Sequence, residues 1–239
     1  MTTAIVVGAG RGRRLMPLTE DVPKCYAEVG GRRIIDWVVE ALGGAGLGKI
    51  VFVGGYQIDR IRADYPCFSF RHNADWPNNN IAASLFHAED AMADGFVCSY
   101  ADILYRSSIV ARLLESRADV AVAVDTGWRT RYAGRSQHPE DDAEKVLVEG
   151  ERVVRIARSI PSAEAHGEFI GVARFTPTGA AALREHYHRH EAALKKAYLI
   201  ELLQKMIEAG VRVEKVDTAG DYFEVDTTED YLLAQQQWR

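Results

Sequence analysis

The sequence predicts an α/β fold, a doubly wound and mostly parallel sheet with an inserted β-hairpin layer. Three observations carry this. Short continuous apolar runs, among them TAIVVG (3–8), KIVFVG (49–54) and DVAVAVD (119–125), read as strands buried on both faces, as in a parallel sheet covered by helices. These runs alternate with helix-period segments over the first 125 residues, the order of a doubly wound sheet. Beyond them, two segments of alternating polarity, EKVLVE (144–149) and RVVRIA (152–157), meet at Gly150-Glu151 and read as a hairpin.

Taken in order, the strands of the first half are 3–8, 49–54, 67–71, 95–99 and 119–125. Helices are expected near 33–46, 57–64, 80–93 and 106–117. Residues 127–142 show no periodicity and carry aromatics, arginines and acids, so they read as a long functional loop. A further buried strand follows at 168–175, then helices at 178–190 and 195–209. A final strand pair, 211–217 with 221–226, leads into a helix from Thr227. No repeat, low-complexity stretch or linker interrupts the chain. One domain is therefore expected over 1–239: a nucleotide-binding core (1–125), an acceptor-binding part containing the hairpin (126–226) and a C-terminal helix (227–239).

Composition narrows the class. With 47% apolar residues the chain supports a sizeable core. A net charge of −5, with both signs interspersed, argues against a nucleic-acid binder relying on a broad basic field. A local basic cluster at 11–14 still suits a small anion. The sequence shows no secretory signal and no apolar run of bilayer length, so neither export nor a membrane partner is expected. Three cysteines, Cys25, Cys67 and Cys98, form no CxxC pair and fit reduced thiols in a cytoplasmic protein. HYHRH (186–190) lacks metal-ligand spacing and reads as a solvated helix face.

The chemistry concentrates in GAGRGRRLMPLT (8–19), directly behind the first strand, with Pro23-Lys24 after it. A glycine-rich turn there points backbone N–H groups at an anion. It is not the dinucleotide fingerprint, since GxGxxG fails at Arg13 or Leu15 depending on the start. It is not a P-loop either, because no Gly-Lys-Ser/Thr occurs. It resembles the signature of the sugar-phosphate nucleotidyltransferases, a strand followed by (A/G)-A-G-x-G-x-R-(L/M)-x-P-L-T and then P-K. Gly8 stands where that family more often has Ala, an exchange expected to cost little. The resemblance implies a Rossmann-like, GT-A-like nucleotidyltransferase fold and transfer of a nucleotidyl group with loss of pyrophosphate. It also implies that Gly8, Ala9, Gly10, Gly12 and Arg13 line the nucleotide. Arg14 would grip the β- and γ-phosphates and Lys24 the α-phosphate or the acceptor phosphate. Ala101 falls on the nucleotide side by the same resemblance.

That family supplies two aspartates for Mg²⁺. Asp102 follows the strand GFVCS, where ligands sit in open α/β sheets. Asp226 stands in FEVDTTEDY, similar to the family's (E/D)-(I/V)-D-(T/S)-x-(E/D)-(D/E)-(L/Y). Two further stretches resemble bacterial phosphocholine cytidylyltransferases and their relatives that activate 2-aminoethylphosphonate. One is NADWPNNNIAASL (73–85), in which Asn80 and Ser84 would read the cytosine edge, although an N-cap role suits Asn80 as well. The other is WRTRYAGRSQHPEDDAEKV (128–146). There Trp128, Arg129, Arg131, Tyr132 and Arg135 would meet the acceptor, with Glu144 and Lys145 at the mouth of the site. Glu168 and Glu201 would serve as counter-charges for an ammonium group.

The resemblance therefore implies a cytoplasmic, Mg²⁺-dependent enzyme moving CMP from CTP to a small phosphorylated or phosphonate acceptor, with a homodimer left open. Two alternatives stand beside it. One is a sugar-1-phosphate nucleotidyltransferase using UTP, dTTP or GTP, against which the 128–146 stretch speaks. The other is a catalytically silent nucleotide-binding regulator, against which the joint presence of Arg14, Lys24, Asp102 and Asp226 speaks.

Overall fold

The computed structural model describes residues 2–238. Its first half is the expected alternation. β1 (Thr3–Gly8) leads through the glycine-rich loop and a small ribbon, β2 (Glu28–Val29) with β3 (Arg32–Arg33), into α1 (Ile34–Gly44). β4 (Ile50–Gly54), α2 (Ile58–Asp64), β5 (Ser69–His72), α3 (Ile81–Phe86) and β6 (Phe96–Tyr100) follow. β7 (Ile103–Tyr105), α4 (Ser107–Glu115), β8 (Val120–Asp125) and the short α5 (Trp128–Tyr132) come next. The second half runs β9 (Lys145–Glu149), β10 (Arg152–Ile156), β11 (Gly167–Phe175), α6 (Pro177–Leu194), α7 (Leu199–Glu208), β12 (Val213–Thr218), β13 (Tyr222–Glu224) and α8 (Thr228–Gln237).

Nine strands form one sheet in the order β5-β4-β1-β6-β11-β8-β12-β10-β9. β5, β4, β1 and β6 are parallel, and every residue of β1 except Gly8 is buried, as its continuous apolar run requires. β11 then enters antiparallel between β6 and β8, so the sheet as a whole is mixed. β9 and β10 form the hairpin and extend the sheet past β12. Val-, Leu- and Ile-rich layers cover both faces. One is built on α3, α6 and α7, the other on α1 and α4.

Two features depart from the sequence expectation and both shape the site. Residues 211–217 and 221–226 do not pair with each other. β12 lies parallel to β8, while β13 pairs antiparallel with β7, Glu224 opposite Ile103. The helix expected over 80–93 breaks after Phe86 into a 3-10 turn at Glu89–Ala91. Among the described residues no helix is long and apolar enough to cross a membrane.

Candidate active site

β1 is the point where the chain order reverses, since β4 and β5 lie on one side of it and β6 on the other. In open α/β sheets the crevice beyond the carboxyl ends of the strands at such a point is where ligands sit. A cavity of about 330 Å³ opens there, lined by the glycine-rich loop, the end of β6, the start of α3, and side chains from the hairpin and from β13.

The loop's geometry explains its glycines. A Cβ on Gly8 would lie 2.6 Å from Ala101 Cβ and 2.8 Å from Phe52 Cζ, because β1 and β6 meet there without room for a side chain. Alanine at that position does not fit without movement of its neighbours, contrary to the expectation that Gly and Ala would serve equally. Gly12 has φ +70°, and a Cβ on it would stand 2.7 Å from Lys24 Cγ. The loop therefore wraps against the aliphatic stem of Lys24, which only glycine at that place permits. The buried Thr19 hydroxyl donates to Gly12 O at 2.8 Å and pins the turn from behind. Arg13 and Arg14 are left exposed at the rim.

Lys24 is the centre of the charge network. Its Nζ donates to Asp102 Oδ2 at 2.6 Å and also to Asp226 Oδ1. Arg14 Nη2 donates to the other oxygen of Asp226, and its Nη1 to Asp142 at 3.2 Å. The two aspartates meet because of the β7–β13 pairing. Asp102 immediately precedes β7 and Asp226 follows β13, so antiparallel register delivers both to one place. Burial alone would push the Asp226 carboxyl up, but Lys24 and Arg14 outweigh it and hold it down at about 2. Burial likewise opposes the Lys24 ammonium, and Asp102 and Asp226 more than offset it and raise its affinity for the proton. Glu224, a third acid in the same cleft, is driven well above the usual carboxylate range by burial and by the charges of Asp226 and Glu168.

This donor set fits a hard divalent cation. Anionic oxygens from Asp102 and Asp226 converge on the single point where Lys24 Nζ stands, with the Glu224 carboxyl beside them. His138, which sequence spacing did not single out, joins the group. Ligand-capable atoms of His138, Glu224 and Asp226 lie within 4.8 Å of one another. His138 Nδ1 is 3.0 Å from Asp230 Oδ2, and that same oxygen accepts from the backbone N–H groups of Asp226 and Thr227 at 3.1 and 2.9 Å. Asp230 and Thr227 form the capping box of α8. The helix cap thus fixes the backbone that carries Asp226.

On the α3 side, Asn80 Oδ1 caps the helix by accepting from Ile81 N at 2.9 Å, and Asn80 Nδ2 donates to Lys196 O at 3.3 Å. Ser84 Oγ accepts from Asn73 Nδ2 at 2.9 Å, and Asn73 also pairs with Asn79. Asn80 and Ser84 both line the cavity, as do Asn79 and Trp76, which had no assigned role in the sequence.

The 128–146 stretch requires correction. Glu144 does line the cavity, as does Glu168, but Trp128, Arg129, Tyr132, Arg135 and Lys145 are not among its walls. Trp128 is 1% exposed and packs with Tyr132 and Ala143 in a small core of its own. Tyr132 turns inward, donating its hydroxyl to Glu168 Oε1 at 2.5 Å. Arg131 is clamped between Asp125 and Glu168. Arg135, with its side chain 2% exposed, pairs with Asp230 Oδ1 at 3.2 Å. Lys145 is buried and donates to the carbonyl of Glu140 at 3.2 Å. Arg129 is exposed and donates to Ser162 O. Glu201 is also outside the cavity, accepting from Tyr198 N at 2.5 Å to cap α7. Charges inside a packed segment cannot remain unpaired, so the buried Arg131 and Arg135 meet carboxylates and Lys145 meets backbone carbonyls. One wall residue has no motif around it, Arg158 at the end of the hairpin, and Tyr198 before α7 joins the wall beside it.

A glycine-rich loop, two arginines and a lysine shared by two acids at the switch point define a nucleotidyltransferase. The chain belongs to the family of MobA-like NTP transferase domains, which it matches over residues 4–212. It is 28% identical over 244 residues to CTP:phosphoglutamine cytidylyltransferase of Campylobacter jejuni, covering 95% of this chain and 96% of that protein. It is 32% identical over 122 residues to 2-aminoethylphosphonate cytidylyltransferase of Lancefieldella rimae, about half of each chain (49% and 49%). Among solved structures, CTP:phosphocholine cytidylyltransferase of Streptococcus pneumoniae superposes with a TM-score of 0.78 at 21% identity, covering 100% of this chain and 99% of the other. The inositol-1-phosphate CTP transferase of T. maritima gives 0.77 at 24% identity, covering 99% and 96%. At these identities the two superpositions speak for the fold.

Proposed function

We propose that this enzyme transfers CMP from CTP to a small phosphorylated or phosphonate acceptor that carries an amine, releasing pyrophosphate in the cytoplasm. The observation that carries it is the Lys24 ammonium shared by Asp102 and Asp226 behind the glycine loop, which assembles at one point the charges that phosphoryl chemistry needs. The relatives' names favour cytidine, and three of them, choline-phosphate, 2-aminoethylphosphonate and phosphoglutamine, specify acceptors that contain nitrogen.

In this reading the loop amides and Arg14 hold the triphosphate tail. An acceptor oxygen forms a bond to the α-phosphorus as the bond to the β-phosphate oxygen breaks, and pyrophosphate leaves with the electron pair. Lys24 offsets the charge that builds at the α-phosphate. Asp102 and Asp226 would hold Mg²⁺ with Glu224 and His138 beside them, and the ion when bound would neutralise charge on the phosphate oxygens. Asn79, Asn80, Ser84 and Trp76 flank the base.

The test is pyrophosphate release from CTP, UTP, dTTP and GTP, each with Mg²⁺ and a panel of phospho-amines, phosphonates and hexose 1-phosphates. Turnover with CTP and an amine-bearing acceptor is expected, and loss of turnover with excess chelator. Turnover confined to UTP or dTTP with a hexose 1-phosphate overturns the reading. A uridylyltransferase of Haloferax volcanii, 32% identical over 131 residues and about half of each chain (51% and 53%), makes that the competing outcome.

A further inference from the structure

We propose that Arg158 reads a carboxylate on the acceptor, so that the acceptor is a phosphorylated amino acid and not a simple phospho-amine. This rests on the reaction proposed above and names the substrate class of that same cleft.

The hairpin builds the reader. Val146 of β9 faces Ile156 of β10, and two residues beyond this pair Glu144 and Arg158 leave the two strands side by side. Both enter the cavity wall. Glu144 is buried, 8% exposed, and its one charged partner is weakly held, with Arg158 Nη2 3.4 Å from its Oε1. The guanidinium stacks over the Tyr198 ring at 3.9 Å, which fixes its plane, while its Nε–H is buried and meets no acceptor among the described residues. The Tyr100 hydroxyl, also in the cavity wall, is likewise buried with no hydrogen-bond partner among the described residues. Glu168, by contrast, is already satisfied by Arg131 and Tyr132.

This corner therefore presents a buried carboxylate held by one long contact directly beside a guanidinium whose Nε–H has no acceptor among the described residues. Burial drives the Glu144 carboxyl up to about 7, only partly opposed by Arg158, so the pair as it stands is incomplete. An acceptor with an ammonium group alone would satisfy Glu144 and set a second cation against Arg158. An acceptor bearing ammonium and carboxylate on one carbon exchanges a single long contact for two charge-assisted ones, with Tyr100 as a further donor. The planar fork of arginine matches a carboxylate, and its stacking on Tyr198 orders it in advance.

O-phosphoserine and O-phosphoethanolamine differ only in that carboxylate and test the inference as a pair. Calorimetric binding of each to the enzyme loaded with a non-hydrolysable CTP analogue and Mg²⁺, together with kcat/KM where turnover occurs, gives the preference. O-phosphoserine is expected to bind roughly 10²-fold or more tightly than O-phosphoethanolamine in the wild type. Arg158→Met should collapse the ratio to within a few-fold, chiefly by weakening O-phosphoserine. Arg158→Lys should recover only part of it, and thermal melting checks that both variants fold. Binding of O-phosphoserine no tighter than O-phosphoethanolamine overturns the inference. So does an Arg158→Met variant that weakens both acceptors alike, because that pattern assigns Arg158 to the phosphate. Nucleotide binding measured without acceptor keeps the two readings separate. Affinity for UTP in place of CTP defeats the cytidylyl reading, and the acceptor pair is then measured with the UTP analogue.

Discussion

Residues 8–24 and residues 127–146 have the same vocabulary of arginines, glycines and acids, and the fold uses them in opposite ways. In the first segment Arg13 and Arg14 stand exposed at the rim of the cavity, and the glycines let the backbone and the Lys24 stem close up. In the second, Arg131 and Arg135 are 10% and 2% exposed, and each has a carboxylate inside the protein. A buried guanidinium is tolerated only when paired, so its charge is spent before a ligand arrives. Arginines behind a strand therefore point to a ligand when the loop stays at the surface. Next to inward-facing aromatics such as Trp128 and Tyr132 they point to a scaffold. Here that scaffold holds Asp230 and Glu168 in place, and through Asp230 the backbone of Asp226.

The largest effect that would break this contrast lies in the first segment. Lys24→Ala should lower kcat by roughly 10²-fold or more, because a charge partner of the transition state disappears. Asp102→Ala and Asp226→Ala should each cost a similar amount, and the double variant should be no worse than either, the behaviour of two groups acting as one unit. Steady-state kinetics with melting curves on each variant decide it. A Lys24→Ala enzyme within a few-fold of wild type would remove the reacting centre from this end of the cleft, and strictly additive aspartate losses would separate their roles.

The second segment is expected to respond in stability. Trp128→Ala removes a large side chain that is 1% exposed and should cost about 3–5 kcal/mol in denaturant unfolding. Affinity for CTP measured well below the melting temperature should change by no more than a few-fold. A loss under about 1 kcal/mol combined with abolished acceptor turnover would return Trp128 to the acceptor and erase the distinction drawn between the two regions.

The same contrast accounts for what the sequence made legible. β1, β4, β6 and β8, the hairpin and the helix from Thr227 were visible because burial on both faces writes itself as unbroken apolar runs and caps write themselves as Thr-x-x-Asp. The loop motif was visible because close backbone approach leaves glycine almost no substitutes. Partner choice was not. β13 is three residues long, and nothing local says that it pairs with β7 and not with β12, yet that pairing brings Asp226 to Asp102. Direction was not legible either. Tyr132 and Arg135 look the same in a sequence whether they face a cavity or a carboxylate, and Arg158 sits in a turn with no motif around it.

The smallest effect concerns Glu144, which like His138 belongs to the second segment and enters the cavity wall while buried. Its ordinary value of 4.5 rises to about 7 in the fold, chiefly through burial. Below about pH 4.5 the group is protonated in both folded and unfolded chains and costs nothing. As pH rises from 4.5 toward 7 the unfolded chain releases the proton first, so stability falls, and above 7 the loss levels off. The magnitude is roughly 1–3 kcal/mol. Glu144→Gln keeps the shape and removes the titration. Its melting temperature should match wild type near pH 4.5, exceed it increasingly up to pH 7, and hold a constant excess beyond. A Glu144→Gln melting temperature that never rises above wild type across this range would mean that Glu144 is ionised and fully paired with Arg158. The under-satisfied corner, and with it the distinction between a segment that spends its charges internally and one residue that keeps its charge for a ligand, would then be lost.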